Sequence, residues 1–195
     1  MYAYLNGKFT YKSPTQLIVD VNGIGFDVQI SLYTYEAIRL LENGVLFVHQ
    51  IVKEDAHLLF GFADKSEKEL FLQLLSVSGV GASTARVMLS SLSPADLRGA
   101  ILAGNETVLE RIKGIGKKTA QRIVLELKDK MLKIGMEEPA SLTMTHNTLE
   151  QEALIAMSAL GIARNMAEAA IKKAVKSEGN FNKVEDMIKA ALKCL

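Results

Sequence analysis

Two short stretches of this chain repeat each other thirty-five residues apart. SVSGVGASTARVML occupies residues 76–89 and RIKGIGKKTAQRIVL residues 111–125. Gly79 aligns with Gly114, Gly81 with Gly116, Thr84 with Thr119 and Ala85 with Ala120. A glycine–hydrophobic–glycine turn carried twice, each time between segments of helical periodicity, confines the fold to two helix–turn–helix units set in tandem. Each glycine pair permits a tight turn and leaves no Cβ between the backbone and a ligand. The amides that follow open a helix, whose N-terminus carries partial positive charge and unpaired N–H groups, so each turn is a potential anion site. The hydrophobic residue between the glycines, Val80 or Ile115, is expected to pack inward and hold the turn.

The anion is not a nucleotide phosphate. A P-loop needs G-x-x-x-x-G-K-[ST] after a strand. Here Arg111 stands five residues before Gly116, Lys118 follows Lys117, and the preceding ETVLERIK reads as helix. A phosphodiester fits better, because a duplex offers phosphates on both sides of its minor groove and two turns offer two sites. Backbone contacts of this kind position a protein without reading bases. Charge points the same way. Residues 1–63 carry 4 Lys/Arg against 6 Asp/Glu, residues 64–135 carry 12 against 8, and residues 136–195 carry 7 against 8. Within 111–133 the count is 8 against 2, a concentrated basic segment in a chain of net charge +1. A solvated helix face and a plain helix–helix connection are the bland alternatives; the duplication weighs against both. The candidate DNA-binding residues are Gly79, Gly81, Ser83, Thr84 and Arg86 in the first copy, and Gly114, Gly116, Lys117, Lys118, Thr119 and Arg122 in the second.

The remainder divides into three parts. Residues 1–63 read as strands: QLIVDVNGIGFDVQI has apolar runs on both sides of Asn22-Gly23, a type I′ turn pair, and VLFVHQIVKEDAHLLFGF repeats the pattern with Lys53-Glu54-Asp55 at its tip. A small antiparallel barrel or sandwich follows, interrupted by a helix-like YEAIRLLENG. His57 reads as a strand residue rather than a ligand. Residues 64–132 turn helical, with Leu70, Phe71, Leu74 and Leu75 on one stripe, a start at Ser93-Pro94-Ala95-Asp96 and a cap at Asn105. Residues 133–147 lose periodicity and read as a flexible linker. Residues 148–195 read as three short helices, about 149–160, 164–177 and 183–194, with capping boxes at Thr148–Gln151 and Asn182–Glu185 and stops at Gly161 and Gly179. No apolar run is long enough to span a bilayer, the first residues do not resemble a signal peptide, and Cys194 is the single cysteine, so a cytoplasmic location is expected. Zinc ligand clusters, a Walker lysine and a convincing nucleophile–base pair are missing, so neither cofactor nor catalytic site is expected.

On the order of these parts the chain resembles the RuvA family, bacterial proteins that bind four-way (Holliday) DNA junctions. The resemblance rests on the strand-rich start, GVG and GIGKKTAQR, the linker, and a terminal module containing Ala159-Leu160-Gly161. It implies an α+β multi-domain architecture: an OB-fold barrel, a tandem helix-hairpin-helix domain, a flexible linker and a C-terminal three-helix bundle. It further implies a homotetramer, or an octamer on DNA, recruitment of a RuvB-type hexameric ATPase through the C-terminal module at Leu160, Gly161 and Ile162, and a junction resolvase as a further partner. Glu54 and Asp55 match the family's acidic pin, which projects into the junction centre and repels phosphates there. The chain departs from the family pattern at Ala82-Ser83-Thr84, where a lysine often follows the first hairpin's glycines; Arg86 is the nearest base. Residue by residue, alternatives remain open. A helix-hairpin-helix glycosylase or nuclease would need a carboxylate or lysine in a base pocket. A general single-strand binder would need stacking aromatics beside basic residues, whereas residues 1–63 are net acidic. The terminal module's alanines and Met157, Met166 and Met187 have the plain reading of filling a small core.

Overall fold

The computed structural model describes residues 1–135, 145–179 and 181–195. The chain divides into two compact units, Met1–Glu138 and Pro139–Leu195. The first begins with five strands, β1 (Tyr4–Ser13), β2 (Gln16–Val21), β3 (Ile24–Ile30), β4 (Asn43–Val52) and β5 (His57–Phe62), and α1 (Leu32–Ile38) lies between β3 and β4. They close into a barrel in the order β1-β2-β3-β5-β4, the OB-type arrangement. Asn22 and Gly23 have φ of 53° and 88°, the two positive values a type I′ turn requires, and Val21 pairs with Ile24 across it. Alternation then decides the core: Leu17 and Val19, Val28 and Ile30, and Leu46 and Val48 point inward and are buried. β3 and β5 run parallel, through Gln29–Phe60 and Ile30–Gly61, and every other strand pairing is antiparallel.

Helices α2 (Lys65–Leu75), α3 (Ala82–Ser91), α4 (Pro94–Ala103), α5 (Glu106–Glu110) and α6 (Lys117–Gly135) complete this unit. The stripe of Leu70, Phe71 and Leu74 is fully buried, against Met88, Leu97, Ile101, Leu109, Ile123 and Leu127. Phe60 and Phe62 of β5 enter the same cluster, their rings 5.2 and 4.9 Å from that of Phe71. One continuous core therefore joins barrel to helices, and burying each such ring stabilises the joint by about 1.5–3 kcal/mol. Two sequence-level caps form. Ser93 Oγ accepts from Asp96 N–H at 3.1 Å with Pro94 at the first helical position, and Asn105 Oδ1 accepts from Val108 N–H at 3.3 Å.

The same joint holds a buried polar network that no local pattern announces. Glu67, in the first turn of α2, is 0 % exposed. Its carboxylate accepts from the hydroxyl of Ser31, from Thr34 Oγ1 at 2.6 Å and from Ala63 N–H at 3.3 Å. Burial pushes its pKa up from the ordinary carboxylate value, and the hydrogen bonds from Ser31, Thr34 and Ala63 oppose that rise in part. A raised carboxyl pKa favours folding below the unfolded-state pKa, and that advantage is lost as pH rises through the folded-state value. Glu67→Gln, in which Nε2 can donate to Thr34 while Thr34 turns its own proton to Gly61 O, is therefore expected to gain stability on the native protein between pH 5 and 8. Glu67→Ala strands the Ser31 hydroxyl, while Ala63 N–H keeps Thr34 Oγ1 at 3.1 Å, and is expected to cost about 2–4 kcal/mol at pH 5 and less at pH 8. Urea unfolding at both pH values checks the two; parallel pH profiles for native and Gln forms would refute the first.

The second unit contains α7 (Thr145–Ala159), α8 (Arg164–Glu178) and α9 (Val184–Lys193). Residues 136–144 of the expected linker lie outside the described residues. Its ends are helical instead: 133–135 finish α6 and 145–147 open α7. Extending a nucleated helix costs little, so weak formers at its ends join it. Thr148 consequently falls inside α7 rather than at its cap. The second expected capping box does not form either. Lys183, not Asn182, is the N-cap of α9 and makes no side-chain cap bond; Glu185 and Asp186 complement the helix end by charge. Gly161, at φ 85°, ends α7 as expected, with Ile162 N–H on Met157 O and Gly161 N–H on Ser158 O, a Schellman closure. Gly179 ends α8 at φ 81°. Met157 and Met187 fill the small core with Ala167, Ala170, Ala174 and Ala191, whereas Met166 stands 53 % exposed, outside it.

Candidate nucleic-acid interface

The two glycine turns have the same geometry. Gly79 and Gly114 both sit at φ 92°. Val77 N–H donates to Leu74 O and Ile112 N–H to Leu109 O, both at 3.1 Å. Val80 N–H donates to Val77 O and Ile115 N–H to Ile112 O, both at 3.0 Å. Ala85 N–H donates to Gly81 O and Ala120 N–H to Gly116 O, both at 2.9 Å, starting α3 and α6. Val80 and Ile115 are each 5 % exposed, packed inward as expected.

The glycines of each pair serve different purposes. Gly79 and Gly114 occupy the left-handed region that L side chains rarely adopt. Gly81, at φ −86° and ψ 170°, has a backbone any residue takes. A Cβ on Gly81 or Gly116 would meet nothing within 4 Å. The chain's own packing thus makes no demand for glycine at either place; what its absence of side chain clears is the approach to the helix amides. No side chain caps α3, so the amides of Ala82, Ser83 and Thr84 remain open to an incoming oxygen.

Around these turns the expected side chains fall into two groups. Lys117 and Lys118 are exposed and, among the described residues, bonded to no carboxylate or carbonyl. Ser83 is exposed, and Thr84 and Thr119 are half-buried at matching positions. The two arginines are already engaged. Arg86 Nη1 donates to Thr15 O in the barrel at 3.2 Å. Arg122 Nη1 donates to Ser78 O in the first turn at 3.3 Å, with Nε 3.8 Å from Glu126 Oε1. Glu54 and Asp55 stand exposed at the β4–β5 tip, which Lys53 N–H closes on Ala56 O at 2.8 Å. His57 pairs with Val52 as a strand residue. Among the described residues no group of His, Cys, Asp or Glu is placed to hold a metal ion, and no helix is long and apolar enough to cross a membrane.

Known proteins divide in the same way. A family model described as the RuvA N terminal domain matches residues 1–61, and one described as a SAM-like helix-hairpin-helix tandem matches residues 71–129. The Holliday junction branch migration complex subunit RuvA of Flavobacterium psychrophilum is 46 % identical over 195 residues, covering the whole of both chains. The chain belongs to the RuvA family. The subunits of that name from Cytophaga hutchinsonii, 44 % identical over 197 residues and 99 % of each chain, and from Bacteroides fragilis, 42 % identical over 202 residues and the whole of each, are similar along their full length as well. In this RuvA-family chain the C-terminal candidates separate: Leu160 is 65 % exposed, Gly161 carries the turn, and Ile162 packs partly against the helical core. The contacts that sequence reasoning missed, Glu67 to Ser31, Arg86 to Thr15 and Arg122 to Ser78, link residues 36, 71 and 44 positions apart. Only the rarity of a buried glutamate could have signalled the first.

Proposed function

We propose that this chain binds four-way DNA junctions as a non-catalytic scaffold, holds them open, and recruits a ring-shaped ATPase that drives branch migration in recombination and repair. The observation that carries this reading is the pair of matching turns, each presenting uncovered helix-start amides, in a chain whose full-length relatives are named as Holliday junction branch migration complex subunits. Each pair of turns takes the two strands of one duplex arm. Phosphates seat on the amides after Gly81 and Gly116 and on Lys117 and Lys118, and sequence matters little because no base edge is involved. Residues 1–63 form the tetramer and carry the pin, residues 64–135 grip DNA, residues 136–144 act as the tether, and residues 145–195 engage the motor through Leu160, Gly161 and Ile162. Four copies in a closed ring match four arms. Energy comes from the partner ATPase, and the site of action is the cytoplasm.

A mobility-shift titration tests the proposal. An immobile four-way junction is expected to bind more tightly than a linear duplex of the same arm sequence, by about a thousandfold, the lower end of the gap between specific and non-specific complexes. Poly-dT should compete poorly, and incubation without a partner should leave the DNA uncut. Equal affinity for junction and duplex, or cleavage by the chain alone, would remove the reading.

A further inference from the structure

We infer that Arg122, although it springs from the second hairpin's helix, serves the phosphate site of the first. The inference rests on the reading of both turns as phosphate sites and concerns which side chain completes which one. Each copy carries an arginine just after its glycines, which invites the opposite assignment, with Arg86 as the base of the first hairpin and Arg122 as its counterpart in the second. The spacing does not support that. Arg86 comes five residues after Gly81 and Arg122 six after Gly116, and one residue on a helix is a rotation of about 100°. The two arginines therefore leave their helices in different directions.

The hydrogen bonds show where each goes. Arg86 turns away to the β1–β2 connection, onto Thr15 O at 3.2 Å. The first hairpin, with Ala82-Ser83-Thr84 at its helix start, is left without a cation of its own. Arg122 crosses to Ser78 O at 3.3 Å, on the peptide that leads into Gly79, and the nearby Glu126 carboxylate orients its Nε side. Eight residues along α6, on the same face, Lys130 Nζ reaches Ser76 Oγ at 3.3 Å. Two cations of one helix thus converge on residues 76–78, the entrance to the first turn. A guanidinium has five N–H donors and only one is given to Ser78, so Arg122 brings both fixed position and free donors to a phosphate seated on the amides after Gly81. The first site is composite: amides from α3, charge from α6. Lys117 and Lys118 give the second site its own.

Coupling between substitutions reads this out. Full-length proteins carrying Gly81→Ala, Gly116→Ala and Arg122→Ala, and the pairs of Arg122→Ala with each alanine turn, would be titrated against a fluorescent four-way junction at fixed salt. The backbone at Gly81 and the open space at both glycines admit alanine, so thermal midpoints should hold, and they are measured for every variant. Each single change is expected to weaken binding about tenfold. Arg122→Ala with Gly81→Ala should lose at least about threefold less than the product of the singles, because a phosphate displaced from the first site no longer meets Arg122. Arg122→Ala with Gly116→Ala should lose the full product within about twofold. Coupling to Gly116→Ala, or simple products in both pairs, would overturn the inference while leaving the turns as phosphate sites. If neither alanine turn weakens binding, the phosphate reading itself falls, and the inference with it.

Discussion

Alanine at both Lys117 and Lys118 is expected to weaken junction binding about sixtyfold at 0.1 M salt and scarcely at all near 1 M. The magnitude follows from counterion release. Each phosphate neutralised contributes a slope of about −0.9 to log affinity against log salt, so at 0.1 M each contact is a factor of about eight and two together about sixty. Extrapolated to 1 M the same term vanishes, and the two proteins' lines should converge there with slopes differing by about 1.8. Neither lysine holds anything else in place among the described residues, and alanine is the better helix former at the start of α6. Unfolding midpoints should therefore be unchanged or slightly higher, which separates lost grip from lost fold. Fluorescence titrations at four salt concentrations measure both quantities. Parallel lines, whatever their offset, would mean that the lysines do not neutralise phosphate and that the GIG turn is not the electrostatic half of the grip.

The turns, caps and stops that could be read from the sequence are those whose chemistry is complete within a few residues. Asn22-Gly23 supplies both positive φ values of its own hairpin, Ser93 and Asn105 reach amides three residues on, and Gly161 closes α7 through bonds that stay within that turn. The twin glycine turns belong to this class, which is why the candidate site was legible as a backbone site. The side-chain half was less so. A sequence shows that Arg86 and Arg122 are cations near glycines; it does not show that one bonds a barrel carbonyl and the other a neighbouring turn, because those partners come from segments brought close by a core that runs from Phe60 and Phe62 through Phe71 and Met88 to Ile123. Glu67 makes the same point from the other side. In sequence it is one more acid in a first helical turn, as ordinary as Asp96. Folding places it against Ser31 and Thr34, thirty-six and thirty-three residues away, and makes it the polar fastening between barrel and hairpins. The helix ends at 133–135 and 145–147 are hidden in the sequence for a third reason, that propensity over three residues is weaker than continuation of an existing helix.

That fastening bears on the pin, because repulsion at a junction centre is useful only if the acids are held at a fixed distance from the phosphate sites. Glu54→Lys with Asp55→Lys moves four units of charge per chain at an exposed tip. Both carboxylates project from a two-residue turn whose pairing, Val52 to His57 and Lys53 N–H to Ala56 O, does not involve their side chains. The barrel should therefore fold unchanged. On the proposed reading the tips of several chains meet at the centre of a ring, and within the screening length of about 8 Å at physiological salt their carboxylates would raise the energy of any continuous duplex laid across it, whereas an open junction would keep its phosphates to the arms. Lysines there attract what the acids repel. The variant is expected to bind linear duplex at least about tenfold more tightly than the native protein, with a steeper salt dependence, to hold the junction no less tightly, and so to lose most of its preference between them. A stacking-sensitive fluorescent base placed at the crossover supplies the second measurement: it should brighten on binding the native chain, where strands are kept apart, and stay dim with the lysine variant. An unchanged ratio of junction to duplex affinity, with the same brightening, would show that Glu54 and Asp55 only keep a hairpin tip hydrated and that the opening of the junction is done elsewhere on the surface.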